Sequence, residues 1–243
     1  MNFQPTQEDR SGKMMKFDCS KHGPYEVFGT PFDFRGGHNP PCPECQKEKN
    51  ISDKLAKSGM PRRFWGTSFD DFKLINDNQK RVHSALVGYA DTILDRKSCG
   101  DSVIMYGNKG TGKTKYSCAI AKKAAECGLT VIFTSVYKMV RKIKETWRKG
   151  SQDSESDVID TFSNVDILFV DEVGVQFGTE AEQILLFEVL NNRYENMLPT
   201  IAMSNLDQEG IEGALGERVF DRFQDGSGFA VLFNWESYRG RKE

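Results

Sequence analysis

No segment of this chain stays apolar for anything near the roughly 18 residues needed to cross a bilayer. Its opening, MNFQPTQEDR, is too polar for a secretory leader, so the cytoplasm is the expected compartment. The chain also lacks a dominant charge. A formal net of −2 gives no global field that would draw in nucleic acid. Internal repeats and long low-complexity tracts are missing too, which sets aside repeat architectures. Six cysteines are present, but in a reducing compartment they do not read as a disulfide framework.

What is there is unevenly spread. Residues 135–150 carry six Lys/Arg against one Glu, whereas residues 151–195 carry eleven Asp/Glu against the single Arg193. One face could therefore attract phosphates while another repels them. With 243 residues, 38% of them hydrophobic, the chain can bury one full-sized core and a small appendage.

The first 15 residues read as frayed. Residues 17–46, rich in Gly, Pro and Cys, read as a loop-dominated unit that needs an external staple. A polar connector, QKEKNISDKLAKSGMP, is interrupted at Gly59-Met60-Pro61. The expected division is a small N-terminal module and connector over residues 1–58 and a larger domain over residues 59–243.

Beyond the connector, strands and helices alternate. Helices are expected near 76–96, from Gly112 to about Cys127, over 136–149, in EAEQILLFEVLNNRYENM, and as short pieces before the last strand. The strands are SVIMYG, LTVIFTS, VDILFVDE, PTIAMSN and FAVLFNW. VDILFVDE barely alternates, as expected for a strand covered on both faces. The class is α/β, with a mainly parallel sheet.

GNKGTGKT, comprising Gly107, Asn108, Lys109, Gly110, Thr111, Gly112, Lys113 and Thr114, lies between a predicted strand and a predicted helix. That context suits a phosphate-binding loop. Its glycines let successive backbone N–H groups turn inward, and the helix N-terminus adds partial positive charge. Lys113 would reach the β- and γ-phosphates of ATP, and the Thr114 hydroxyl would bind Mg²⁺. Asp171, ending the strand ILFVDE, can hold the Mg²⁺ through water. Glu172 is placed to polarise an attacking water. Two adjacent acids favour a hydrolase over a small-molecule kinase. Asn205, one strand later in AMSNLD, would stand beside the γ-phosphate if that strand inserts between the two motif strands.

Such a site still lacks a cation on the far side of the γ-phosphate. An arginine finger supplies one, often from a neighbouring subunit, because the guanidinium fork is always charged and grips two oxygens. GERVFDRF offers Arg218 and Arg222 one helical turn apart, and NWESYRGR offers Arg239.

PRRFWGTSFDDF, GNKGTGKT, NVDILFVDEVGVQ, LGERVFDRF and LFNWESYRGR, in this order, resemble the bacterial replicative-helicase loaders of the DnaC type. These are AAA+ ATPases related to the initiator DnaA, and the resemblance runs from about residue 60 to the end. It implies a P-loop AAA+ (ASCE) parallel sheet sandwiched by helices, self-association through the ATP site, a DnaB-type helicase partner and single-stranded DNA. By resemblance, Arg222 matches the finger acting in trans, Arg239 the sensor-2 arginine acting in cis, and Asn205 sensor 1. The role of Arg218 stays open. Two rivals share features: a transposition helper ATPase of the IstB type, and a nucleotide-regulated adaptor that needs no hydrolysis.

VYKMVRKIKETWRKG places Val136, Val140, Ile143 and Trp147 on one helical stripe, which favours core packing for Trp147. Lys138, Arg141, Lys142, Lys144 and Arg148 decorate the remainder, a pattern that suits a single-stranded DNA track. The resemblance implies the same, since the corresponding helices of the loaders face the DNA channel. Near the start, Cys19 and His22, then Cys42 and Cys45, make two close donor pairs suited to tetrahedral zinc. His22 is preferred over His38 for its spacing. All four positions are filled by protein, so the site reads as structural. The best-known loaders do not show this pattern, whereas phage and prophage members resembling this chain carry such modules. Cys99, Cys118 and Cys127 read as small packing residues.

Overall fold

The computed structural model describes residues 12–30, 39–175 and 180–238. The chain forms two compact units, Met1–Asp53 and Lys54–Glu243. The division falls inside a helix, five residues before the boundary expected from composition.

In the first unit, β1 (Lys13–Cys19) and β2 (Gly23–Gly29) pair as an antiparallel hairpin. This corrects the expectation of a loop-dominated segment. The strands alternate: Met15, Phe17, Tyr25 and Val27 share the more buried face, with Met15 opposite Val27 and Phe17 opposite Tyr25. The turn between the strands delivers Cys19 and Gly23 opposite one another, with Gly23 in the left-handed region at φ 75°. Helix α1 (Pro43–Ser58) begins on a proline, whose missing N–H is no loss in a first turn. It stops at Gly59, at φ 82°, where a Cβ would come within 2.6 Å of the Phe133 carbonyl.

The second unit runs through α2 (Asp77–Asp91), α3 (Ile93–Cys99), β3 (Val103–Gly107), α4 (Lys113–Glu126), β4 (Val131–Ser135), α5 (Val136–Glu145), α6 (Glu155–Asn164), β5 (Ile167–Asp171), α7 (Glu180–Glu195), β6 (Thr200–Met203), α8 (Gln208–Leu215), α9 (Glu217–Phe223) and β7 (Phe229–Phe233). Asn76 and Gln79 start α2 with reciprocal side-chain-to-backbone hydrogen bonds, and Ser154 and Asp157 do the same for α6. The five strands are all parallel, in the order β4-β5-β6-β3-β7. The interior strands β3 and β6 are buried at every position, which explains their unbroken apolar runs. β6 inserts between β3 and β5, the two strands that carry the sequence motifs.

A charge lies deep within this core. Arg193 of α7 is 0% exposed, and burial pulls its pKa down to about 9, leaving it charged at neutral pH. Its guanidinium donates to the carbonyls of Phe162 (2.9 Å), Ser163 (3.1 Å), Val165 (2.8 Å) and Pro199 (2.7 Å), and to Thr200 Oγ1 (3.0 Å). It thereby joins the C-terminal end of α6 to the starts of β5 and β6, with its charge set favourably against the helix dipole.

Candidate nucleotide-binding site and metal centre

Strand β3 ends at Gly107, and the chain turns through the loop into α4 with Gly107, Gly110 and Gly112 at φ 112°, 77° and 102°. A Cβ at Gly107 would sit 2.6 Å from the Phe233 carbonyl, so this position admits no side chain. Thr111, fully buried, donates its hydroxyl to the Asn108 carbonyl at 2.7 Å and braces the loop from within. Lys113 is 6% exposed, and its ammonium donates to the carbonyls of Gly107 (2.8 Å) and Asn108 (2.7 Å). The cation is thus pinned at the base of the loop by the loop's own backbone.

Thr114 and Asp171 meet, although 57 residues separate them in the chain. The Thr114 hydroxyl donates to Asp171 Oδ2 at 3.0 Å, while Asp171 Oδ1 accepts the Glu172 N–H at 2.8 Å. A hydroxyl beside a carboxylate is a hard-oxygen donor set that fits Mg²⁺. Glu172 is exposed and has φ 61°, uncommon for a residue with a side chain. Asn205 follows β6 in a segment fixed on three sides. Ser204 N–H donates to the Met105 carbonyl (2.9 Å), Ser204 Oγ to the Val173 carbonyl (2.7 Å), and Gly107 N–H to the Leu206 carbonyl (3.0 Å). Ser204, 1% exposed, therefore ties the end of β6 to the turn holding Glu172. Sequence reasoning missed it, and its place beside Asn205 was the available signal.

Arg218 and Arg222 project from α9 on the side away from Val219, Phe220 and Phe223, which are buried. Arg222 lies over the Tyr194 ring at 4.6 Å and donates to Asn191 Oδ1, both on α7. Among the described residues, no carboxylate forms an ion pair with either arginine, so pairing with Glu217 or Asp221 does not account for them. Arg239 lies outside the described residues.

A family profile described as "IstB-like ATP binding protein" matches residues 48–242. The replicative helicase loader DnaC of Buchnera aphidicola (subsp. Acyrthosiphon pisum, strain APS) is 31% identical over 185 residues, covering 76% of this chain and 74% of that protein. The chain belongs to the IstB/DnaC-type family of ATP-binding proteins. The family is one of AAA+ ATPases, and its fold is recognisable in solved structures. A DnaC helicase loader crystal structure superposes with a TM-score of 0.60 at 18% identity, over 71% of this chain and 99% of that one. DnaA from Aquifex aeolicus bound to AMPPCP superposes at 0.59 and 21% identity, over 73% of this chain and 52% of that one.

In this family member the basic helix α5 buries Val136, Met139, Val140 and Ile143. Lys138, Arg141, Lys142 and Arg148 are exposed, and Lys144 is half-buried. Three of these cations are engaged locally, Arg141 with Glu145 (3.2 Å), Lys144 with Glu182 (2.8 Å), and Lys142 over the Phe162 ring at 5.7 Å. Trp147 departs from expectation. The helix ends at Glu145, so the stripe does not continue; Trp147 is 56% exposed and donates its indole N–H to Glu155.

Cys19, His22, Cys42 and Cys45 converge, with all four ligand atoms within 4.8 Å of one another. The Cys19–Cys45 sulfurs are 3.6 Å apart, and His22 Nδ1 lies 3.8, 3.7 and 3.4 Å from the Cys19, Cys42 and Cys45 sulfurs. A tetrahedral zinc with bonds of about 2.3 Å to S and 2.0 Å to N sets ligand edges of roughly 3.5–3.8 Å, and the cluster fits. Backbone N–H groups of Lys21 and His22 draw the Cys19 thiol down to about pKa 6, while its hydrogen bond with Cys45 pushes that thiol up to about 11. A divalent cation removes that conflict by favouring the thiolate at every position. Glu48 bonds His22 Nε2 at 3.3 Å and keeps Nδ1 facing the sulfurs. The alternative His38 lies outside the described residues. Of the other cysteines, Cys118 is buried as expected, but Cys99 and Cys127 are exposed rather than packed. Among the described residues no helix is long and apolar enough to cross a membrane.

Proposed function

We propose that this protein loads a DnaB-type replicative helicase onto single-stranded DNA, working in the cytoplasm as a self-associating ATPase. The observation that carries the reading is 31% identity to a replicative helicase loader over 185 residues, 76% of the chain.

In this mechanism the loop amides and Lys113 bind the triphosphate. Thr114 and Asp171 would hold Mg²⁺, which would supply positive charge against the triphosphate. Glu172 takes a proton from the attacking water and Asn205 orients that water. Arg222 of a neighbouring copy stabilises charge developing on the transferred phosphoryl group, worth orders of magnitude in rate. Arg239 contacts the nucleotide of its own subunit, and Arg218 lines the same seam. ATP binding sets the state in which Lys138, Arg141, Lys142, Lys144 and Arg148 grip the strand, and hydrolysis releases it. The cysteine–histidine cluster holds structural zinc, and the module around it docks the helicase.

Co-purification with a hexameric DnaB-type helicase tests this. A complex that forms with ATP and changes stoichiometry on adding single-stranded DNA is expected; no complex under any nucleotide condition overturns it. The family profile favours one second reading, a transposition helper of the IstB type. ATP-dependent bending of duplex DNA without helicase contact would establish that alternative.

A further inference from the structure

The segment after β7 folds back across the outer side of the phosphate loop. The Asn108 N–H donates to the Phe233 carbonyl (2.8 Å), and the Asn108 side-chain amide to the Trp235 carbonyl (3.2 Å). Two bonds run the other way. The indole N–H of Trp235, a residue 7% exposed, donates to the Thr111 carbonyl at 3.1 Å. The Tyr238 backbone N–H donates to the Gly110 carbonyl at 2.9 Å. The far end is anchored too, because the Tyr238 hydroxyl accepts from Gln79 Nε2 (2.9 Å) and donates to the Lys73 carbonyl (3.3 Å).

The consequence follows from peptide geometry. In a trans peptide the carbonyl of one residue and the N–H of the next point in opposite directions, and no peptide bond described here is cis. Holding the Gly110 carbonyl against the strap turns the Thr111 N–H away from it. Holding the Thr111 carbonyl does the same for the Gly112 N–H. The glycines at 110 and 112 leave these peptides free to flip, and a flipped peptide would present a carbonyl to an anion.

We propose that Trp235 and Tyr238 are positioning residues that lock two loop peptides with their N–H groups aimed at the phosphates. This role rests on reading the loop as a triphosphate site. It concerns phosphate affinity rather than recognition of the base.

The test measures binding of AMPPCP and of inorganic tripolyphosphate, each with Mg²⁺, to the full chain and to Trp235→Phe and Asn108→Ala. The phenyl ring keeps an apolar filling but has no N–H to donate. Asn108 is exposed, so its replacement releases the strap without opening the core. Both variants should lose roughly five- to tenfold in affinity for both ligands, as expected for one hydrogen bond that orients a charged contact. The thermal midpoint of the ligand-free protein should stay within a few degrees of wild type. Unchanged tripolyphosphate binding in both variants, or a loss confined to AMPPCP, overturns the proposal. Failure of the unaltered protein to bind either ligand would be a separate result and would remove the phosphate-loop reading beneath it.

Discussion

Replacing Arg193 by Met tests whether one buried cation holds the acidic half of the sheet together. Methionine keeps much of the stem's volume but supplies no donors, so four carbonyls and the Thr200 hydroxyl lose their partner. Each buried acceptor left unpaired costs about 1–3 kcal/mol, and the cation at the α6 C-terminus contributes up to ~2 kcal/mol more. Against this, removing a fully desolvated charge returns several kcal/mol. Some acceptors also keep another donor: the Pro199 carbonyl still receives the Leu168 N–H at 3.3 Å. With several neutral acceptors left unpaired and part of that loss offset, the net should be a destabilisation of about 3–5 kcal/mol. At about 2–4 °C per kcal/mol for a unit of this size, the midpoint should fall on the order of 10 °C. Urea unfolding followed by far-UV circular dichroism reads the difference directly. Arg193→Lys, charged but without the planar fork, should fall between the two. A loss below about 1 kcal/mol for Met would mean that the carbonyls re-pair without the guanidinium, and the argument would fail.

The remaining predictions concern the proposed site. Arg222→Ala should abolish ATP turnover while preserving ATP binding, and mixing it with Lys113→Ala should restore part of the turnover; a mixture as inactive as its components would refute a shared site. Stripping metal with a chelator should expose residues 13–46 to limited proteolysis and leave the thermal midpoint of the second unit unchanged, whereas an unaltered cleavage pattern in metal-free protein counts against a zinc staple. Reversing Arg141, Lys142 and Lys144 to Glu should weaken single-strand binding and flatten its salt dependence, lowering the log–log slope by up to about 0.7 for each phosphate no longer neutralised. An unchanged slope removes α5 from the DNA path.

The parts of the molecule legible in the sequence are those written locally. The glycine spacing of GNKGTGKT, between an apolar strand and a helix, encodes the loop and its positive-φ turns, though not the distant residues after β6 and β7 that brace it. The run ILFVDE carries its acids at the strand's end by necessity. The insertion of β6 between β3 and β5 was expected only conditionally, since strand order is decided by packing. The hairpin is hard to read locally because Gly, Pro and Cys outweigh a short but regular alternation in KMMKFDC and GPYEVFG. Trp147 departs from the stripe because the helix ends at Glu145, two residues before it. Arg193 looked like a lone cation in an acidic stretch. Its burial depends on carbonyls from three elements converging in space, which no local pattern reveals.

The twisted backbone at Glu172 pulls two kinds of fitness apart. At φ 61° a side chain is held in a conformation that glycine adopts freely, at a penalty on the order of 1 kcal/mol or more for any β-carbon. On the proposed role of Glu172 as the group that polarises water, a population screened only for heat resistance should therefore drift to glycine or asparagine there and grow hardier as it loses turnover. One screened for turnover should keep the acid and remain slightly more fragile.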